Sequence, residues 1–221
     1  MVENRQFDQG IALLREATSL DPEAAYSYNA LGIAYMEQQR WNEAIENFRA
    51  ASARAEKWVY PHYNLARVFA SQNRFRDAED EFRAGIAIES ELGLKYSYLH
   101  YNLGVMYLYQ GRIPQAEEQF RRAIELKPDD AMSYHNLGLI LEQQNKIDDA
   151  VASYRKAADL APKLAEPRLK LAELYQKQRK TELQESVLQE LIDGNPSSQS
   201  GYDTLGQMYL KGKKWDQAEQ V

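Results

Sequence analysis

One spacing governs this sequence. Leu31-Gly32 recurs as Leu65-Ala66, Leu103-Gly104, Leu137-Gly138, Leu171-Ala172 and Leu205-Gly206, at leucine intervals of 34, 38, 34, 34 and 34 residues. A small residue follows on the same clock at Ala44, Ala78, Ala116, Ala150 and Ala218, with Gln184 breaking the series. An aromatic stands four positions later at Phe48, Phe82, Phe120 and Tyr154, with Leu188 as the apolar exception. Ala51, Gly85, Ala123 and Ala157 come next, and Leu191 departs. Pro22, Pro128, Pro162 and Pro196 close their units, while Glu56 and Ser90 stand where prolines are expected. Such a period implies stacked copies of one small unit, since a single copy cannot bury its own apolar face.

Each period contains two amphipathic stretches with a 3.6-residue rhythm. Tyr134, Leu137, Gly138 and Leu141 share one face of a predicted first helix, and Ile147, Ala150, Val151 and Tyr154 share one face of a second. Gly138 and Ala150 are small where two helices must approach closely, and Tyr154 fills the space beside them. Asn145-Lys146 supplies a short polar connection. Pro128 cannot continue a helix and disfavours helix at Lys127.

These markers resemble the tetratricopeptide repeat over nearly the whole chain. The resemblance implies an all-α fold, a right-handed α-solenoid of antiparallel helix pairs. The units fall at 25–58, 59–96, 97–130, 131–164, a divergent 165–198 and a partial 199–221, with 1–24 as the second helix of a partial unit. Phe7, Gly10, Leu14, Ala17 and Pro22 occupy that first stretch's marker positions. The second unit is four residues longer, around Leu92-Gly93-Leu94-Lys95-Tyr96. That stretch is either an extended helix end or a longer loop. Both ends cut through a unit, so the expectation is one continuous solenoid that is a fragment of a longer protein, and its apolar ends could stack on another copy.

Composition narrows the function. The chain carries 27 basic and 33 acidic residues in 221, a net charge of −6. Residues 1–110 hold 11 basic and 15 acidic side chains and residues 111–221 hold 16 and 18, so no basic block exists for nucleic acid or an anionic membrane surface. No apolar run is long enough to span a bilayer. The absence of cysteine removes disulfides, thiolate catalysis and most structural zinc sites, without fixing a compartment. His62, His100 and His135 sit in successive units, too far apart to converge on a metal. Asp129-Asp130 and Asp148-Asp149 fall at predicted helix starts, where they favour the helix dipole rather than acid–base catalysis. No catalytic residue, metal or cofactor is assigned.

By resemblance, the first helix of each unit lines the concave groove that binds peptides in this family. Position 6 of successive units places Asn64, Asn102 and Asn136 in a row, with Lys170 next. An asparagine amide can pair with both sides of a peptide unit, and this row resembles the asparagine ladder of the O-linked N-acetylglucosamine transferase superhelix. The same asparagines equally fit a packing role within the repeat. Position 2 reads Tyr26, Tyr60, Tyr98 and Met132, and position 5 reads Asn29, Tyr63, Tyr101 and His135. Tyrosine gives large contact area with little entropy to lose, so these two stripes predict a partly exposed aromatic groove, some rings of which could instead fill between first helices. Arg67 and Lys170 are isolated basic groove residues. The lysine–asparagine–arginine set with which family members grip acidic chaperone tails is missing. The expected function is a non-catalytic scaffold for an extended peptide or protein segment. Two other readings are a substrate-recruiting arm of a larger enzyme such as a glycosyltransferase, and an element that self-associates end to end.

Overall fold

The computed structural model describes residues 2–219, with side chains from residue 7 onward. Met1, Gln220 and Val221, the outermost residues of the first and last predicted units, lie outside the described residues. Among those described, every regular element is a helix: α1 (Val2–Leu20), α2 (Ala25–Glu37), α3 (Trp41–Arg54), α4 (Val59–Ser71), α5 (Phe75–Leu92), α6 (Ser97–Tyr109), α7 (Ile113–Leu126), α8 (Ala131–Gln143), α9 (Ile147–Leu160), α10 (Ala165–Lys177), α11 (Thr181–Gly194), α12 (Gln199–Lys211) and α13 (Trp215–Glu219). The fold is an all-α solenoid of helix pairs. It divides into two compact units, Met1–Met106 and Tyr107–Val221.

Two kinds of connection build the repeat. Between pairs, a four-residue turn is closed by the same short backbone bond. Ala24 N–H donates to the Asp21 carbonyl at 3.2 Å, Trp58 to Ala55 at 3.0 Å, Asp130 to Lys127 at 3.2 Å, Leu164 to Ala161 at 2.9 Å and Ser198 to Asn195 at 2.9 Å. Proline occupies the second residue of four of these turns and Glu56 of the fifth, which closes in the same way without it.

Within pairs, the chain reverses through one left-handed residue. Gln39, Asn73, Gly111, Asn145, Arg179 and Lys213 have φ of 58, 59, 70, 59, 58 and 58°. The following residue is always basic. Its N–H donates five residues back: Arg40 to Tyr35, Arg74 to Phe69, Arg112 to Tyr107, Lys146 to Leu141, Lys180 to Tyr175 and Lys214 to Tyr209, all at 2.8–2.9 Å. This bond satisfies a carbonyl that the helix end would leave open. It also lays the cation over the aromatic ring whose carbonyl it reaches: Arg40 over Tyr35 at 4.5 Å, Arg74 over Phe69 at 4.3 Å, Arg112 over Tyr107 at 4.2 Å.

In the first unit the core runs through Leu31, Phe48, Leu65, Phe69, Phe82 and Leu99, all buried. A Cβ placed on Gly32 would stand 2.6 Å from two carbons of the Phe48 ring, so only glycine lets α2 and α3 close to this distance. The extra residues of the second repeat add a helical turn to α5. Gly93, left-handed at φ 64°, then ends it, and Leu94 N–H donates to the Glu89 carbonyl at 2.9 Å. The buried Glu89 carboxylate accepts from Tyr96 N–H at 3.0 Å and fixes the entry to α6.

The second unit repeats the close approach. A Cβ on Gly138 would lie 2.6 Å from the Tyr154 ring. The divergent repeat solves the same problem with other side chains. Leu188 is smaller than the aromatic it replaces and Leu191 larger than alanine, and both are fully buried. Asp148 and Asp149 occupy the first turn of α9, and Asp130 immediately precedes α8, its carboxylate accepting from the Ser133 hydroxyl rather than from a backbone N–H.

Candidate peptide-binding face

In the first unit, the residues two places into each first helix stand at its N-terminal end, just past the turn that delivers it. That position lacks helix on one side, so its side chain reaches water. Tyr26 is 75% exposed and Tyr60 43% exposed. Their rings do not stand alone. Tyr26 lies 4.4 Å from Trp58, Trp58 lies 6.2 Å from Tyr60, and Tyr60 is stacked on Tyr98 at 6.1 Å. Tyr96 closes on Tyr60 and Tyr98 at 6.1 and 5.4 Å, and Tyr63 meets Tyr98 edge-on at 4.8 Å. Burial raises the Tyr98 phenol above its ordinary range, and the neighbouring phenols, Tyr60 first, add to the shift.

Trp58 and Tyr96 are the members that reading by helix position passes over. Each is the last residue of the preceding turn. The signal lay in the local pattern, since Trp58-Val59-Tyr60 and Tyr96-Ser97-Tyr98 both straddle a helix start with an aromatic on either side.

The polar candidates are more engaged. Asn64 Nδ2 donates to Asn29 Oδ1 at 3.1 Å, and both residues are buried. Asn102 Nδ2 donates to the Tyr98 carbonyl of its own helix at 2.7 Å. Tyr101 is half-buried, and the exposed Arg67 guanidinium lies 5.5 Å from the centre of the Tyr63 ring.

The second unit has a different character. Met132 is exposed and Asn136 half-buried. His135 packs 5.7 Å from the Tyr154 ring with its Nδ1 buried and unpartnered. Burial, helped by Lys170, lowers its pKa below the ordinary 6.5, and Glu166 opposes the shift. Lys170 pairs with Glu173 at 2.8 Å. Glu142 is held below the usual carboxylate range. Burial opposes that shift, and donors from Lys177 at 2.8 Å and the Tyr154 hydroxyl at 3.1 Å outweigh it. Neither basic candidate thus stands as an isolated charge: Arg67 covers a ring and Lys170 is ion-paired.

Among the described residues, no three His, Asp or Glu side chains gather to hold a metal. His62 instead bonds Glu81 through Nδ1 at 2.7 Å, and His100 lies 3.6 Å from the Glu89 carboxylate.

The profile of the tetratricopeptide repeat matches residues 2–57, 29–92 and 101–165. The chain belongs to the tetratricopeptide repeat family. Tetratricopeptide proteins generally mediate protein–protein interaction and bind protein or peptide partners, and their repeats are typically non-catalytic. A comparison with curated protein sequences gives no match. Solved tetratricopeptide structures share the fold. YrrB, described as a TPR protein with an unusual peptide-binding site, is 18% identical, with 91% of this chain and 97% of YrrB covered and a TM-score of 0.64. PilF of Pseudomonas aeruginosa is 22% identical, with 90% and 89% covered and a TM-score of 0.72. MamA is 25% identical, with 74% and 94% covered and a TM-score of 0.64. No helix among the described residues is long and apolar enough to cross a membrane.

Proposed function

We propose that this chain is a non-catalytic interaction scaffold that takes an extended peptide or protein segment along its first-helix face. The observation that carries this reading is the row of water-facing rings in the first unit, with Tyr26 75% and Tyr60 43% exposed. Exposed aromatic side chains, already held by their neighbours, offer contact area with little further entropy to lose. The peptide-binding site named for YrrB supports the same reading from a protein of the same fold. In this account Tyr26, Tyr60, Tyr63, Tyr98 and Tyr101 contact ligand side chains. Asn102 reaches the ligand backbone, and the buried Asn29–Asn64 pair holds α2 and α4 in register beneath it. Arg67 borders the track in the first unit; Met132, His135, Asn136 and Lys170 are the candidate contacts of the second unit.

A peptide-display screen tests it. The parent chain is run beside a Tyr26→Ser/Tyr60→Ser variant and an Asn64→Ala/Asn102→Ala/Asn136→Ala variant, each checked for unchanged helix content. The expected outcome is one motif enriched on the parent and lost from the tyrosine variant. Equal enrichment on the parent and the tyrosine variant, or no enrichment on the parent, contradicts the proposal.

A further inference from the structure

The first helices of the first unit are nearly free of charge. Histidines aside, α2, α4 and α6 carry only two side chains that are ionised at neutral pH: Glu37, the last residue of α2, and Arg67 within α4. His62 and His100 are engaged with Glu81 and Glu89 of α5. The face that remains is apolar, with Tyr26, Ile33, Tyr60 and Val105 all exposed. Ile33, Arg67 and Val105 occupy the same repeat position on α2, α4 and α6, so that row reads apolar, cationic, apolar. Among the described residues no carboxylate pairs with Arg67. Its guanidinium lies instead 5.5 Å from the centre of the Tyr63 ring. Other cations of the unit are matched: Arg40 with Glu43, Lys57 with Glu91 and Arg74 with Asp77. A guanidinium held against a ring keeps its planar fork of donors for an anion of matching shape, above all a carboxylate. An exposed ion pair contributes little, but apolar ligand groups on either side would exclude water and strengthen it.

We infer that the segment bound by the first unit is apolar and carries a single acidic side chain, which pairs with Arg67. Apolar ligand residues on either side of that carboxylate rest on Ile33 and on Val105. The aromatic row, about two helical turns nearer the start of the same helices, takes further ligand side chains. The acid is internal to the ligand rather than its C-terminal carboxylate. Exposed apolar side chains continue past Arg67 in both directions, on α2 and on α6, and a chain end at Arg67 would leave one of them uncovered. The inference rests on the reading of this face as a binding track for an extended segment and adds the charge pattern of its ligand.

Fluorescence anisotropy of labelled nonapeptide pools with the full chain tests it. Every pool draws its flanking residues from the same mixture of Leu, Val, Tyr and Ser. The central residue is Glu, Gln or Lys with both peptide ends capped, and a further pool has central Gln and a free C-terminal carboxylate. The Glu pool should bind at least about tenfold tighter than the capped Gln and Lys pools, as one charge-assisted pair gives. The free-carboxylate pool should bind no tighter than the capped Gln pool. Arg67→Gln should bring the Glu pool down to the level of the Gln pool with helix content unchanged, and Arg67→Glu should make the Lys pool the tightest binder. Equal binding of the Glu and Gln pools, tighter binding of the free-carboxylate pool than of the Glu pool, or indifference to Arg67→Gln overturns the inference. If the display screen still yields a motif without an acidic residue that depends on Tyr26 and Tyr60, the peptide-binding reading stands and only the charge pattern falls.

Discussion

Six described residues carry the left-handed helix reversals within pairs, and three of them are not glycine or asparagine. Gln39, Arg179 and Lys213 adopt φ of 58° where a Cβ is crowded by the backbone. Asn73 and Asn145 tolerate that region better, and Gly111 occupies it freely. Gln39→Gly and Arg179→Gly should therefore each stabilise the protein by up to about 1 kcal/mol, whereas Gly111→Ala should destabilise it by a similar amount. Thermal unfolding of the three variants checks this, with shifts of roughly 2–4 °C per kcal/mol expected for a chain of this size. A loss of stability in Arg179→Gly would show that its side chain contributes more than its backbone conformation removes. This residue-scale pattern is present in the sequence as a basic residue at Arg40, Arg74, Arg112, Lys146, Lys180 and Lys214, on the same period as the leucines. It escaped a reading built on apolar positions because left-handed conformation leaves no fixed residue type: Gln, Asn, Gly, Arg and Lys all occur there. At Arg40, Arg74, Arg112 and Lys214 the basic side chain lies over the ring five positions earlier, a contact that exists only once the turn has formed, whereas the residue five before Lys146 is Leu141.

At the scale of helix pairs, the small residues decide how closely elements approach. Gly32→Ala and Gly138→Ala put a methyl group 2.6 Å from rings that are fully buried and cannot withdraw. Each should cost about 1–3 kcal/mol by overpacking. Gly206 is the internal control, because a Cβ there meets nothing within 4 Å. Gly206→Ala should stabilise its helix by about 0.5–1 kcal/mol. Chemical denaturation of the three variants should thus give two signs from one type of substitution; a common sign would break the link between glycine and helix approach. Gly138 beside Tyr154 was readable from sequence because a small residue and an aromatic recur at fixed positions. The turn ending α5 was only half readable. Four extra residues signalled a longer element, but the choice between helix and loop depended on Gly93 as a stop and on Glu89 folding inward to hold Tyr96 N–H.

On the scale of the whole molecule, periodicity made the all-α solenoid of helix pairs legible, because every repeat restates the same apolar demand. The candidate face was legible only in part. The tyrosine stripe could be named, but which rings face water depends on how α2, α4 and α6 start, and Trp58 and Tyr96 join the row from the turns between them. The asparagine row looks uniform in sequence, yet the structure distinguishes its members: Asn64 is buried on Asn29, and Asn102 donates to its own helix. Contacts of that kind have no signature in residue type. The two compact units also differ in surface chemistry. Both pair charges internally, as at Arg40–Glu43 and Lys170–Glu173, but the row of aromatic rings from Tyr26 to Tyr98 belongs to the first. The account therefore places recognition on the first unit. The most direct test is chemical-shift mapping of the full chain during titration with the peptide that the display screen selects. The predicted result is perturbation concentrated at Trp58 and at the tyrosines 26, 60 and 98, saturating with a single affinity. Perturbations that leave Trp58 and Tyr60 unmoved while affecting residues beyond Tyr107 would contradict it.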